Sequence, residues 1–268
     1  MSDLKQFNTT IANVNTQSYL KNVLGEKKDS FVNNITALVA NDESLQACVP
    51  TTIMFAAMKA TSLSLPLDNN LGFAYVLPYK NGRSNTVEAQ FQMGYKGIVQ
   101  LAVRSGQFKR INVSDVREGE IASRDRLTGD IEFSWITDEA ERGKAKVIGY
   151  VGYFRLSGGY EKTAYWSVEE LVEHSKKYSK AVQKGYKSPW SENFDAMAKK
   201  TVLKLMLNKG DAPMSVEMQD AFSYDQAVIY DKEGTKAYVD ATDSKPAAPA
   251  QVEEAEVVEE AKAAKPSF

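Results

Sequence analysis

The chain is poor in the residues on which most enzymes build their chemistry. It holds one histidine, His174, and one cysteine, Cys48, among 268 residues. A zinc site of the Cys/His type cannot be assembled within one chain from that inventory, and an internal disulfide is impossible. No GxxxxGK[ST] segment occurs, so the commonest phosphate-cradling loop is missing. No apolar run approaches the ~20 residues of a membrane-spanning helix. The opening MSDLKQFNTT has neither the basic nor the apolar part of a signal peptide. The expectation is a cytoplasmic protein with no membrane contact, cofactor, metal or catalytic residue. Paired carboxylates are the one catalytic device that 35 Asp and Glu leave open.

What is present is an ordinary globular composition, 43% hydrophobic and 25% charged, with an uneven distribution of charge. The net charge of −2 hides a basic middle. From Tyr79 to Gly210 there are 23 Lys and Arg against 16 Asp and Glu, whereas Ala241 to Phe268 carries six acids and three bases. Segregation of this kind suggests a basic surface with an acidic tail, although a helical hairpin with solvated lysines gives the same count.

Four regions follow from pattern. Residues 1–28, rich in Asn, Thr and Gln, read as a flexible N-terminal arm. Residues 29–212 read as the core. Residues 213–240 are weakly patterned, and residues 241–268, rich in Ala, Pro and Glu, read as a disordered acidic tail. Within the core, helices are expected after Asp29 or Ser30 and from Pro50. LGFAYVLPY and TVEAQFQM flank KNGRSN as a hairpin, followed by a helix from Tyr95 to Ser105. Strands are expected over 108–116, 131–135, 145–156 and 160–166, with 145–156 apolar on both faces and so central. Ser167 and Glu170 form a capping box, and Ser188-Pro189 opens a last long helix through Leu207. The fold class is α+β, an antiparallel sheet with a central hairpin packed by helices.

The most informative segment is FQMGYKGIVQLAVRSGQ, Phe91 to Gln107. On a helix, Ile98, Leu101, Ala102 and Ser105 share the packing face, while Lys96, Gln100 and Arg104 form a row at i, i+4 and i+8 on the other. Such a row can track phosphates, and an ordinary solvated face has the same pattern. Lys200 and Lys204 flank an apolar seam, in a position to face DNA or to snorkel. The lysines ending the preceding helix also complement its dipole. The loop before Ser188 carries Lys184, Tyr186 and Lys187, a mixture able to touch backbone and base. Tyr150, Tyr153, Phe154, Tyr165 and Trp166 read as core, and Phe73, Tyr75 and Tyr79 as the places where a base would stack. Cys48 reads as a small buried thiol and His174 as a helix-surface imidazole.

Phe91 to Gln107, followed by INVSDVREGE, resembles the signature of the RecT family of phage single-strand annealing proteins. LSLPLDNNLGFAYVLPY, YWSVEELVEHSKKYS and SPWSENFDAMAKKTVLKLML resemble the same family in the same order. The resemblance implies ATP-independent binding of single-stranded DNA and of the nascent duplex, a homo-oligomer in rings or filaments, and a phage exonuclease partner. Carried over by position, it implies a groove built from Gln92, Lys96, Arg104, Lys109, Arg110, Arg117, Lys199, Lys200 and Lys204, to which the loop adds Lys187. The acidic tail ending in Phe268 resembles the tails of bacterial single-strand-binding proteins, which suggests competition for a host protein's docking pocket. Two other functions compete with annealing. One is a strand-protecting protein that does not anneal. The other is a metal-dependent nuclease using Asp115, Glu118 and Glu120.

Overall fold

A computed structural model describes residues 2–82, 84–208 and 212–238. Helices α1 (Ser2–Ala12) and α2 (Val14–Leu24) open the chain. They meet at Asn13, whose side chain caps α2 by accepting from the Asn15 N–H at 2.9 Å. Phe7, Ile11 and Leu20 are buried in the main core. The segment read from sequence as a flexible arm thus forms two helices over 2–24 that dock through these three side chains, with Leu4, Tyr19 and Leu24 packed beside them. A 3-10 turn (Gly25–Lys27) leads into α3 (Lys28–Ala40), which buries Phe31, Ile35 and Val39 on one face. After α4 (Glu43–Gln46), α5 (Pro50–Ser62) begins on its proline and is buried along most of its length. The Thr52 hydroxyl at its start accepts the Ala89 N–H at 2.9 Å and fixes the helix to the sheet.

Strands β1 (Ala74–Asn81) and β2 (Thr86–Met93) form the expected hairpin, in register from Ala74 opposite Met93 to Asn81 opposite Thr86. Pro78 sits on β1, the outer strand, where a missing N–H costs no ladder bond. Then come α6 (Tyr95–Arg104), β3 (Phe108–Arg117), β4 (Ile121–Arg124), β5 (Ile131–Phe133), α7 (Glu139–Lys144), β6 (Val147–Leu156) and β7 (Glu161–Ser167). Strand β6 is the middle of an antiparallel sheet ordered β3-β6-β7, as its two apolar faces require. Strands β4 and β5 pair separately as a two-stranded ribbon.

Helix α8 (Val168–Tyr178) starts on the capping box of Ser167 and Glu170. The long helix expected from Ser188 is broken into α10 (Pro189–Glu192) and α11 (Phe194–Asn208) at Asn193, whose non-helical backbone (φ −147°, ψ 69°) interrupts the helix, with the short α9 (Lys180–Gln183) preceding them. The weakly patterned stretch after Pro213 is ordered too, as α12 (Val216–Tyr224), β8 (Ala227–Ile229) and β9 (Lys236–Tyr238). Strand β8 pairs with β2, completing a sheet ordered β1-β2-β8-β9, and buries all three of its side chains. Among the described residues the fold is thus α+β, with two antiparallel sheets and a ribbon rather than one sheet. The tail over 241–268 lies outside the described residues. No helix among the described residues is long and apolar enough to cross a membrane.

Candidate nucleic-acid interface

Two glycines explain how the signature segment is built. A Cβ on Gly94 would lie 2.0 Å from the Gly72 carbonyl oxygen, and one on Gly97 would lie 2.1 Å from that of Phe73. The start of α6 is therefore pressed against the chain entering β1, and the Gly94 N–H donates to the Phe73 carbonyl at 2.8 Å. Ile98, Leu101 and Ala102 are buried beneath the helix as its periodicity requires. Lys96 stands exposed on the opposite side.

The cations of this region sort into those held by internal acids and those left to solvent. Three acids of the C-terminal segment hold four cations. Glu217 pairs with Arg104 at 3.2 Å, and Arg104 also donates to the Leu63 carbonyl at 2.6 Å. Asp220 pairs with Lys59 at 2.6 Å. Asp225, itself buried, accepts from Lys204 at 2.5 Å and from the Met93 N–H at 2.8 Å, and lies 4.0 Å from the Lys200 ammonium. Burial opposes ionisation of Asp225, yet Lys200 and Lys204 beside it hold its carboxyl below the usual range. Lys200 is enclosed, its Nζ without a hydrogen-bond partner among the described residues. Burial pushes it down to about 8, against the pull of Asp225. Sequence alone weighed Lys200 and Lys204 between facing DNA and snorkelling; in the structure both meet Asp225 in an internal ion cluster.

Arg117 is held in the same way. It donates to Asp115 at 3.0 Å and to the carbonyls of Arg142 and Ala145, each at 2.9 Å, and so closes the C-terminal end of α7. Arg142 completes the network, reaching Glu120 at 2.8 Å and Asp115 at 3.3 Å. Glu120 is fully enclosed and also accepts the Arg117 N–H at 2.7 Å. Burial alone would raise both carboxyls, but the hydrogen bonds and charges of Arg142 and Arg117 keep both below the usual range. Two of the three acids considered for metal catalysis are thus engaged by arginine, while Glu118 is exposed. No three His, Cys, Asp or Glu among the described residues are grouped so as to hold a metal ion.

The free cations lie elsewhere. Lys109 and Arg110 are exposed at the start of β3, and Arg110 sits opposite Arg155 in the β3–β6 ladder. With Val99, Val103, Asn112 and Tyr153 they line a shallow groove of about 550 Å³ between α6 and β3. Strand β3 is an edge of its sheet, so the backbone groups on its outer side make no ladder bonds. Lys199 pairs with Asp195 at 2.9 Å one turn away and keeps an exposed flank. Gln92 points outward between buried Phe91 and Met93.

A second basic surface runs from α8 to α10. Lys176, Lys177, Lys184 and Lys187 are exposed, and Glu192 meets Lys187. Lys180 donates to the Tyr79 hydroxyl at 3.1 Å and so ties this surface to the hairpin. His174, expected on the helix surface, is half-buried against the Tyr178 ring at 4.5 Å, and burial lowers its pKa, helped by Lys204 and Lys177. Cys48 is buried as expected, which pushes its thiol up to about 12.

Of the ten residues singled out by sequence, Gln92, Lys96, Arg104, Lys109, Arg110, Lys187 and Lys199 reach the surface, with Arg104, Lys187 and Lys199 each beside an acid. Arg117, Lys200 and Lys204 have internal partners. Sequence reasoning missed Arg142 and Asp225, on which two of the clusters turn. An acid between apolar Phe222 and the apolar run 227–229 was the available signal for Asp225.

A model of the RecT family matches residues 29–242. Over 220 residues the chain is 40% identical to the uncharacterized protein YqaK of Bacillus subtilis (strain 168), covering 82% of this chain and 69% of that protein. Over 185 residues it is 30% identical to protein RecT of Escherichia coli (strain K12), covering 68% of this chain and 65% of that one. With four-fifths of its length matched in this way, the chain belongs to the RecT family of recombination-related single-strand annealing proteins.

Proposed function

We propose that the protein binds single-stranded DNA and pairs complementary strands without ATP, a cofactor or a catalytic residue, acting as a homo-oligomer in phage-type recombination. The observation that carries this reading is the sorting of cations. Lys96, Lys109, Arg110, Lys176 and Lys184 make no side-chain ion pair or hydrogen bond among the described residues. Unpaired cations beside an edge strand suit phosphates and discriminate poorly among bases. An annealer needs that combination, because it must offset repulsion between two backbones while leaving base edges free. Base pairing then supplies the free energy. Asp115 and Glu120, bound to arginines, favour binding over metal-dependent cleavage. The strands would come from a phage exonuclease, and the acidic tail would compete for a docking pocket used by a host single-strand-binding protein.

The test is to coat one oligonucleotide with the protein and add its complement, with no nucleotide and with a chelator present. Pairing faster than for naked strands supports annealing. Slower pairing would reassign the protein to strand protection, and shortened strands without chelator would make it a nuclease.

A further inference from the structure

Most aromatic rings near the basic surfaces are already engaged. Lys180 lies over the Tyr79 ring, 5.6 Å from its centre, and bonds its hydroxyl. Tyr75 lies against Gly72 and Gly94, and Phe73 packs on the core. His174 and Lys177 cover the ring of Tyr178. Tyr186 differs. It is 65% exposed, and its side chain has no hydrogen bond, ion pair or ring contact among the described residues.

Its backbone, in contrast, is held. The Gly185 N–H donates to the Val182 carbonyl at 3.1 Å and the Tyr186 N–H to the Ala181 carbonyl at 2.8 Å, with Gly185 at φ +68°. That pair of bonds is the Schellman closure of a helix end, and it normally tucks the residue at the Tyr186 position against the last turn. Here the closure forms and the ring stays out. Lys184 and Lys187 flank it, both exposed, Lys184 unpaired among the described residues and Lys187 beside Glu192. A tyrosine on a fixed backbone has two side-chain torsions to restrict, so presenting it to a ligand costs little entropy.

We infer that Tyr186 is a stacking platform for an unpaired nucleobase of a DNA strand whose phosphates lie on Lys184 and Lys187. The inference rests on the strand-binding reading above and adds a residue and a preference to it. A base inside a duplex already has neighbours on both faces, so the ring holds single strands and releases them on pairing.

Fluorescence anisotropy of the full-length protein with two labelled strands of equal length, one oligothymidine and one abasic, tests this. Tyr186→Ala should weaken oligothymidine binding about tenfold, the effect of losing one stacked base, and leave abasic binding unchanged. Tyr186→Phe should restore it. Equal loss on both strands, or no loss on either, overturns the stacking role while wild-type binding leaves the wider reading intact. Wild-type protein that binds neither strand overturns both.

Discussion

Replacing Asp225 with asparagine should unfold the protein more readily than almost any other single charge removal. Asparagine can still accept the Met93 N–H, so the loss is electrostatic. Lys204 is 26% exposed and can turn to water, but Lys200 is 9% exposed and would keep a buried charge with no counterion. Breaking a buried pair from one side costs about 3–5 kcal/mol, a large part of the roughly 5–15 kcal/mol that holds a domain folded. The pH dependence gives a second check. Lys200 titrates at about 8 in the folded chain against an ordinary 10.5, so the unfolded chain binds more protons between those values. Stability from this residue therefore rises with pH across that window, by about 3 kcal/mol in all. Without Asp225 the lysine sheds its proton at lower pH, so the variant's deficit should be largest near neutrality and shrink towards pH 10. Urea unfolding followed by tryptophan fluorescence, at fixed protein concentration, reads both quantities. A deficit under about 1 kcal/mol, or one equal at both pH values, would refute the reasoning.

Glu120→Gln should cost about 3 kcal/mol and loosen the β4–β5 ribbon, seen as faster amide exchange there. Asp115 and Glu120 both ionise below the usual range, so their contribution is complete above about pH 5. It should be lost as pH falls through their depressed values, and acid titration of wild type against Glu120→Gln checks that. Gly97→Ala should destabilise by about 3 kcal/mol despite alanine's better helix propensity, because the added carbon meets the Phe73 carbonyl at 2.1 Å; thermal unfolding reads the sign. Lys109→Gln and Arg110→Gln should each lower the slope of log affinity against log salt by about 1 and change stability by under about 0.5 kcal/mol.

The local elements of the core were legible because their signals are local. Gly94 and Gly106 bracket a helix whose buried face repeats at 3.6 residues, and Ser167 with Glu170 announces its own helix. The doubly apolar pattern of 145–156 placed β6 at the centre of a sheet, since only cover on both sides explains it. What failed was anything settled by distant partners. Phe7, Ile11 and Leu20 look too sparse to dock a segment until α5 is seen beneath them. Strand β8 is three residues long and exists because β2 offers an open edge. The site suffered most from this. Lys96 and Lys204 look alike in sequence, and only the position of Asp225, 21 residues after Lys204, makes one free and the other internal.

Annealing of two complementary labelled oligonucleotides by wild type and by the Lys109→Gln/Arg110→Gln double variant, without ATP and at two salt concentrations, tests the central claim most directly. Wild type should accelerate pairing strongly at low salt and less at high salt, and the folded double variant should lose most of the low-salt acceleration. Equal rates for the two proteins would contradict the assignment of the α6–β3 groove to the strand, and no acceleration by wild type would contradict annealing itself.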